Sequence, residues 1–157
     1  MTIPEELKHA AEFHTHLGPF LVIGLRMGAV VTREFGSEPF VTNITAFTGT
    51  RPPYSCLADG IQVSTPCTVG NGGLKLSEER AMAIEARHDD RFLSITLSRE
   101  IFDWIESDCT EENQESFSLK IWEMLEERLL SISESPWEER IPVDEGAISR
   151  ENGEVTL

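Results

Sequence analysis

The sequence predicts an α+β fold, a small antiparallel sheet packed with helices, and three observations carry that prediction. Residues Pro19 to Phe35 are apolar almost all round and run into Gly36, as a buried helix ending on a glycine does. Ala81–His88 and Arg91–Ser98 both suit strands, with Asp89-Asp90 between them as a two-residue turn. Phe40–Thr48 (F-V-T-N-I-T-A-F-T) is β-branched and aromatic, and supplies a further strand.

Taken in order, residues 4–16 open with Pro4 and two glutamates in a first turn, which suits a helix start, and Leu7, Ala10, Ala11 and His14 share a face. Gly18-Pro19 stops this helix and begins the next. Gly24 and Gly28 form a G-x-x-x-G patch on that second helix, a place for another backbone to approach or simply glycine beneath a packed strand. After the 40–48 strand, G-T-R-P-P is a loop. Ser55 is placed to cap a short helix from Cys56 to about Ser64, which Pro66 ends. Thr68 to Gly73 reads as turn. In the hairpin, Met82 faces Leu97, Ile84 faces Ile95 and Ala86 faces Leu93, so one face packs on a core. A short helix follows from Arg99 to about Ser107. Thr110 then caps a helix to about Ser131, with Phe117, Ile121, Met124, Leu125 and Leu129 as its buried stripe.

At 157 residues the chain is read as one domain, a core over 1–143 and a tail over 144–157. The net charge of -15 is the unusual number, and residues 101–157 carry -12 of it. An acidic surface repels phosphate, so neither nucleic acid nor a membrane is an expected partner. Three cysteines do not make a disulfide framework, and the opening M-T-I-P-E-E-L-K has neither the basic start nor the apolar stretch of a secretion signal. A cytoplasmic setting is therefore expected, where thiols stay reduced and can bind metal.

The chemistry-bearing residues fall in two places. His14 and His16 form an H-x-H pair before Gly18-Pro19. Cys56 and Cys67 bracket the short mid-chain helix. Two imidazoles and two thiols suit zinc or another soft divalent metal. Positions i and i+2 point about 200° apart within a helix, so the pair can chelate only where a helix ends. At the first turn of its helix Cys56 is expected to favour thiolate. Cys67 lies beyond that helix, near the backbone N–H groups of Thr68 and Gly70. Asp59, one turn after Cys56, is a candidate acceptor behind a ligand or an oxygen ligand itself. Other readings use the same residues: Cys67 as a nucleophile with a histidine base, or the histidines as structural groups. The ten-residue gap between the cysteines fits no compact zinc finger, and V-G-N-G-G-L lacks the G-K-[ST] of a P-loop. Cys109 reads as a small hydrophobe, and His9 and His88 as surface or strand-edge residues.

The blocks F-H-T-H-L-G-P-F-L-V-I-G-L-R-M-G (13–28) and C-L-A-D-G-I-Q-V-S-T-P-C-T-V-G-N-G-G-L (56–74) resemble the FmdE family, named for formylmethanofuran dehydrogenase. The likeness extends more weakly through the hairpin and P-W-E-E-R-I-P-V (136–143). It implies an α+β core forming an intertwined homodimer, and a metal site, commonly zinc, on His14, His16 and Cys67, with Cys56 as a further candidate. It also implies an accessory role in formylmethanofuran or C1 metabolism, methanogenesis included, beside molybdenum or tungsten enzymes and a protein partner of such a complex. Two departures stand out. Gly18 takes the place of the cysteine in the family's H-G-H-x-C-P-G, and Asn71 and Gly73 replace the Lys and second Asn of T-x-G-K-G-N-L. Fewer protein ligands leave room for water, so a metal-dependent enzyme with an open zinc–water position is the rival expectation.

Overall fold

The computed structural model describes residues 2–136; the tail expected over 144–157, and most of the 136–143 block, lie outside the described residues. The elements run α1 (Glu5–His14), α2 (Pro19–Phe35), β1 (Thr42–Thr48), α3 (Cys56–Ser64), β2 (Leu74–Ser77), β3 (Arg80–His88), β4 (Arg91–Leu97), α4 (Arg99–Asp108), α5 (Gln114–Glu123), α6 (Glu126–Leu129) and β5 (Leu130–Pro136). The strands form one five-stranded sheet in the order β2-β1-β3-β4-β5. The fold class is α+β, as the sequence predicts. The sheet, however, is mixed rather than antiparallel, because β2 pairs parallel to β1 with Ile44 opposite Leu74.

The hairpin keeps the register expected from its turn, with Ile84 opposite Ile95 and Ala86 opposite Leu93. Its expected third pair does not form. Met82 takes a left-handed φ of 46°, and the ladder to β1 jumps there from Ala83 to Arg80. Ile44, Ala46, Ile84, Ala86, Leu93 and Ile95 are buried to 2% exposure or less, while Asn43, Arg87, Thr96 and Ser131 alternate with them on the wet side. That two-residue period is the physical reason one face takes the helices.

Helix α2 is the core of the molecule, with Leu21, Val22, Ile23 and Met27 fully buried. Its glycines are not a surface for a second copy, nor do they lie under a strand. A Cβ on Gly24 would sit 2.1 Å from the Leu57 carbonyl oxygen, and one on Gly60 would sit 2.2 Å from that of Leu21. The two helices therefore cross glycine against glycine, and the backbone that approaches the G-x-x-x-G patch is that of α3 in the same chain.

The helix expected from Thr110 to Ser131 is broken in three. Asn113 rather than Thr110 precedes α5, and the chain leaves helical geometry at Met124 and Leu125. Leu125 is 67% exposed, not part of the buried stripe, whereas Phe117, Ile121 and Leu129 are buried. From Leu130 the chain is a strand. Its side chains alternate with serines and pair along all of β4, which outweighs the weak helical preference of S-I-S-E.

Candidate functional site

Helix α1 ends on His14, one turn earlier than Gly18-Pro19 would have stopped it. Thr15 adopts a left-handed φ of 83° and turns the chain out of the helix. The i and i+2 imidazoles, which would diverge inside a helix, are brought to a ring separation of 4.7 Å.

Asp59 on α3 reaches the first of them. The Nδ1–H of His14 donates to Asp59 Oδ2 at 2.6 Å, and Gln62 Nε2 donates to the other carboxylate oxygen at 3.1 Å. An ionised carboxylate only accepts, so Nδ1 carries the hydrogen, and in the neutral ring Nε2 keeps its lone pair. His14 Nε2 is buried and has no hydrogen-bond partner.

Both histidines line a cavity of about 270 Å³ that is partly open to solvent. Gly18, Pro19 and Phe20 of the α2 entry form one wall, Pro53 and Cys56 a second, and Glu106, Cys109, Glu111 and Gln114 from the end of α4 and start of α5 a third. Trp104 stacks on Phe117 at 4.3 Å, joining α4 to α5. Arg26 donates from Nη1 to the carbonyls of Ile121 and Trp122, both at 2.9 Å, and so ties the end of α5 to α2. Gly18 sits close under His16, where a Cβ would lie 3.3 Å from Nε2.

The cysteines part company. Cys56 lines the cavity, but it is not the acidified thiol expected at a helix start. Burial and then the neighbouring Asp59 push its pKa up from the ordinary 9.0. Ser55 makes no side-chain cap and is already helical, and the Cys56 N–H donates to the Pro53 carbonyl. Cys67 is only 2% exposed, does not line the cavity, and donates its thiol to the Thr42 carbonyl at 3.3 Å. Of the two amides expected near it, that of Thr68 is taken: the Thr68 N–H donates to Asn71 Oδ1, as does the Gly73 N–H. Asn71 thus organises the 68–73 turn. Among the described residues no three His, Cys, Asp or Glu side chains are gathered closely enough to hold a metal ion as they stand.

Sequence reasoning missed Cys109, Glu106, Glu111 and Gln114. Cys109, read as a small hydrophobe, is half-buried and reaches the cavity through its place at the C-terminus of α4. No local pattern marks these four, because only the docking of α4 and α5 on α2 brings them to the histidines.

The family model described as "FmdE, Molybdenum formylmethanofuran dehydrogenase operon" matches residues 13–140, which include His14, His16, Cys56 and Asp59. The chain belongs to the FmdE family. It is similar to an Archaeoglobus fulgidus protein named a probable S-adenosyl-L-methionine-binding protein, at 32% identity over 101 residues. That match takes in 60% of this chain and spans only 27% of the relative's length. The fold is also that of a tungsten formylmethanofuran dehydrogenase FmdE-like protein from Syntrophus aciditrophicus, with a TM-score of 0.60 at 20% identity over 84% of this chain and 71% of that one.

Proposed function

We propose that this FmdE-family chain binds a divalent transition metal, with zinc the best match to its donors, at the cavity between α1 and α3. His14 Nε2 and the His16 ring are the nitrogen ligands, and Cys56, on the cavity wall, is the proposed thiol ligand. The observation that carries the reading is the orphaned Nε2: a buried imidazole nitrogen without a partner is costly unless something binds it. The Asp59 carboxylate on the opposite nitrogen is the usual partner behind a metal-ligating histidine. Side chains must close on an ion, because no three donors already converge among the described residues. Cys67 is left out of the proposed ligands because its buried thiol already donates to Thr42.

A bound ion of this kind acts as a Lewis acid and lowers the pKa of a bound water. The chain's own contribution is to fix the His14 imidazole through Asp59, to set the His16 ring beside it, and to keep a small solvent-reaching space next to them. That space favours, as the second reading, an enzyme acting on a small organic molecule over a closed structural site. An accessory role beside formylmethanofuran-type molybdenum or tungsten enzymes follows the family's name. A homodimer belongs to the same proposal, and Phe13 and Phe40, 55% and 81% exposed, are candidates for its contacts.

The test is elemental analysis of the full chain purified without chelator or nickel resin, for wild type and for His14→Ala and His16→Ala. Wild type should carry one ion per chain and each variant should lose it while keeping its circular dichroism. A metal-free wild type after supply of zinc, or variants that retain the ion, would remove the reading.

A further inference from the structure

In this chain of 28 acidic and 13 basic residues, arginines are commonly tied to carboxylates. Arg33 pairs with Glu126, Arg91 with Glu134, Arg99 with Asp103 and Arg128 with Glu100. Arg51 and Arg80 differ. Among the described residues neither has a carboxylate partner, and the two line one surface pocket of about 460 Å³ together with Thr50, Tyr54 and Glu78.

The pocket has a fixed arm. Gly49 takes a left-handed φ of 67°, and a Cβ there would lie 2.9 Å from Arg80 Cγ, so the stem of Arg80 rests on bare backbone. The Gly49 N–H donates to the Glu79 carbonyl at 3.1 Å, holding that loop to the start of β3. The Arg80 guanidinium then stands 5.7 Å from the centroid of the Tyr54 ring, whose hydroxyl donates to Glu106 at 3.1 Å. Glu78 is the single carboxylate of the lining and accepts the Thr50 hydroxyl at 3.4 Å. Two guanidinium groups against one carboxylate leave the pocket net positive on a strongly negative molecule. Guanidinium is the side chain whose donors match the geometry of an oxyanion.

We infer that this pocket is an anion subsite, taking the carboxylate or phosphate group of a small organic molecule on Arg51 and Arg80. It adjoins the histidine cavity: Pro53 lines the cavity and Tyr54, the next residue, lines this pocket. A molecule anchored here by its charged end extends toward His14 and His16. The subsite does not rest on the metal reading, since none of its residues is a proposed ligand.

The test is an NMR titration of the full chain with inorganic phosphate and, separately, with acetate. Saturable shifts are expected at the amides of Thr50, Arg51, Tyr54 and Arg80. Arg51→Gln and Arg80→Gln should each weaken binding about tenfold, the worth of one charged hydrogen-bonding group. Arg99→Gln, which removes the same charge elsewhere, should change nothing. Tighter binding of one probe than the other assigns the oxyanion. No saturable binding by wild type, or an equal loss in Arg99→Gln, would overturn the inference. Metal content measured on the same samples keeps this outcome separate from that of the histidine site.

Discussion

His14 Nδ1 and Asp59 Oδ2 lie 2.6 Å apart although 45 residues separate them in the chain. The contact joins the end of α1 to the middle of α3 and fixes which imidazole nitrogen faces the cavity. Asp59→Asn removes the charge and frees the ring to turn. Metal affinity, read by competition with a chromophoric chelator, should fall between about tenfold and a hundredfold, with the fold intact by circular dichroism. An unchanged affinity would reduce Asp59 to a packing group between two helices.

Cys56 gives the metal reading a pH signature. Its thiol is held above the ordinary 9.0, first by burial and then by Asp59, so at neutral pH it is protonated and must lose that proton to bind an ion. From neutral pH up to about 9.0, its share of the affinity should rise about tenfold per pH unit. Cys56→Ser should flatten the affinity-against-pH plot by one proton. An identical slope in the variant would take Cys56 off the ion.

Much of this was legible locally. Pro19 and Gly36 bracket α2, and α3 runs from Cys56 to Ser64 as the spacing of its apolar residues and Pro66 require. The Asp89-Asp90 turn sets the register of Ile84 and Ile95, because a two-residue loop leaves one pairing that keeps both side chains inward. What escaped is non-local. Leu74–Ser77 is four residues long, and only its parallel partner Thr42–Thr48 makes it a strand. Leu130–Pro136 is polar and exposed along most of its length, and β4 alone holds it extended. The histidine pair could be read as a helix-end chelate, but the stop came from Thr15, a residue with no strong preference for left-handed backbone. The family resemblance put Cys67 ahead of Cys56 as the thiol ligand. A nine-residue helix and a turn carry it away from the cavity wall to the Thr42 carbonyl.

Cys67→Ala separates the two cysteines by experiment. The thiol is buried among apolar side chains, and its removal leaves a small cavity and takes a donor from the Thr42 carbonyl. A loss of about 1–2 kcal/mol in chemical denaturation is expected, with metal content equal to wild type. A variant that folds and has lost its ion would return Cys67 to the ligand set.

The α2–α3 crossing leaves no room for a methyl group. Gly24→Ala and Gly60→Ala each drive a Cβ into backbone carbonyl oxygens, at 2.1 and 2.2 Å, which no rotamer can relieve. Each should cost about 3 kcal/mol, a melting temperature lower by roughly 10 °C for a domain of this size. Because Asp59 rides on α3, metal retention should fall with stability in both. Gly70→Ala is the contrast: an added Cβ would meet only the Thr68 hydroxyl oxygen at 3.9 Å, ordinary contact at a backbone angle that any residue adopts, so its effect should stay within about 0.5 kcal/mol. Equal effects at all three positions would mean the helices can separate without cost.

Alkaline pH tests the burial of the thiols as a group. Cys56, Cys67 and Cys109 all have their pKa raised from 9.0, with burial as the leading cause in each. In the unfolded chain they ionise at the ordinary value. Above it the unfolded state therefore holds fewer protons than the folded one, and stability falls as pH rises. Their contribution is fully present below about 9.0 and is lost as pH climbs through the raised folded values. With thiols kept reduced, the denaturation midpoint should be insensitive to these groups near neutrality and drop beyond pH 9.0. Removal of each thiol should shed a share of that drop, and Cys67→Ala, which takes away a buried thiol outside the cavity, tests it without touching the proposed ligands. A midpoint that rises through this range would show thiolates favoured in the fold, and would reverse the account of Cys56 as a thiol that only an ion can deprotonate.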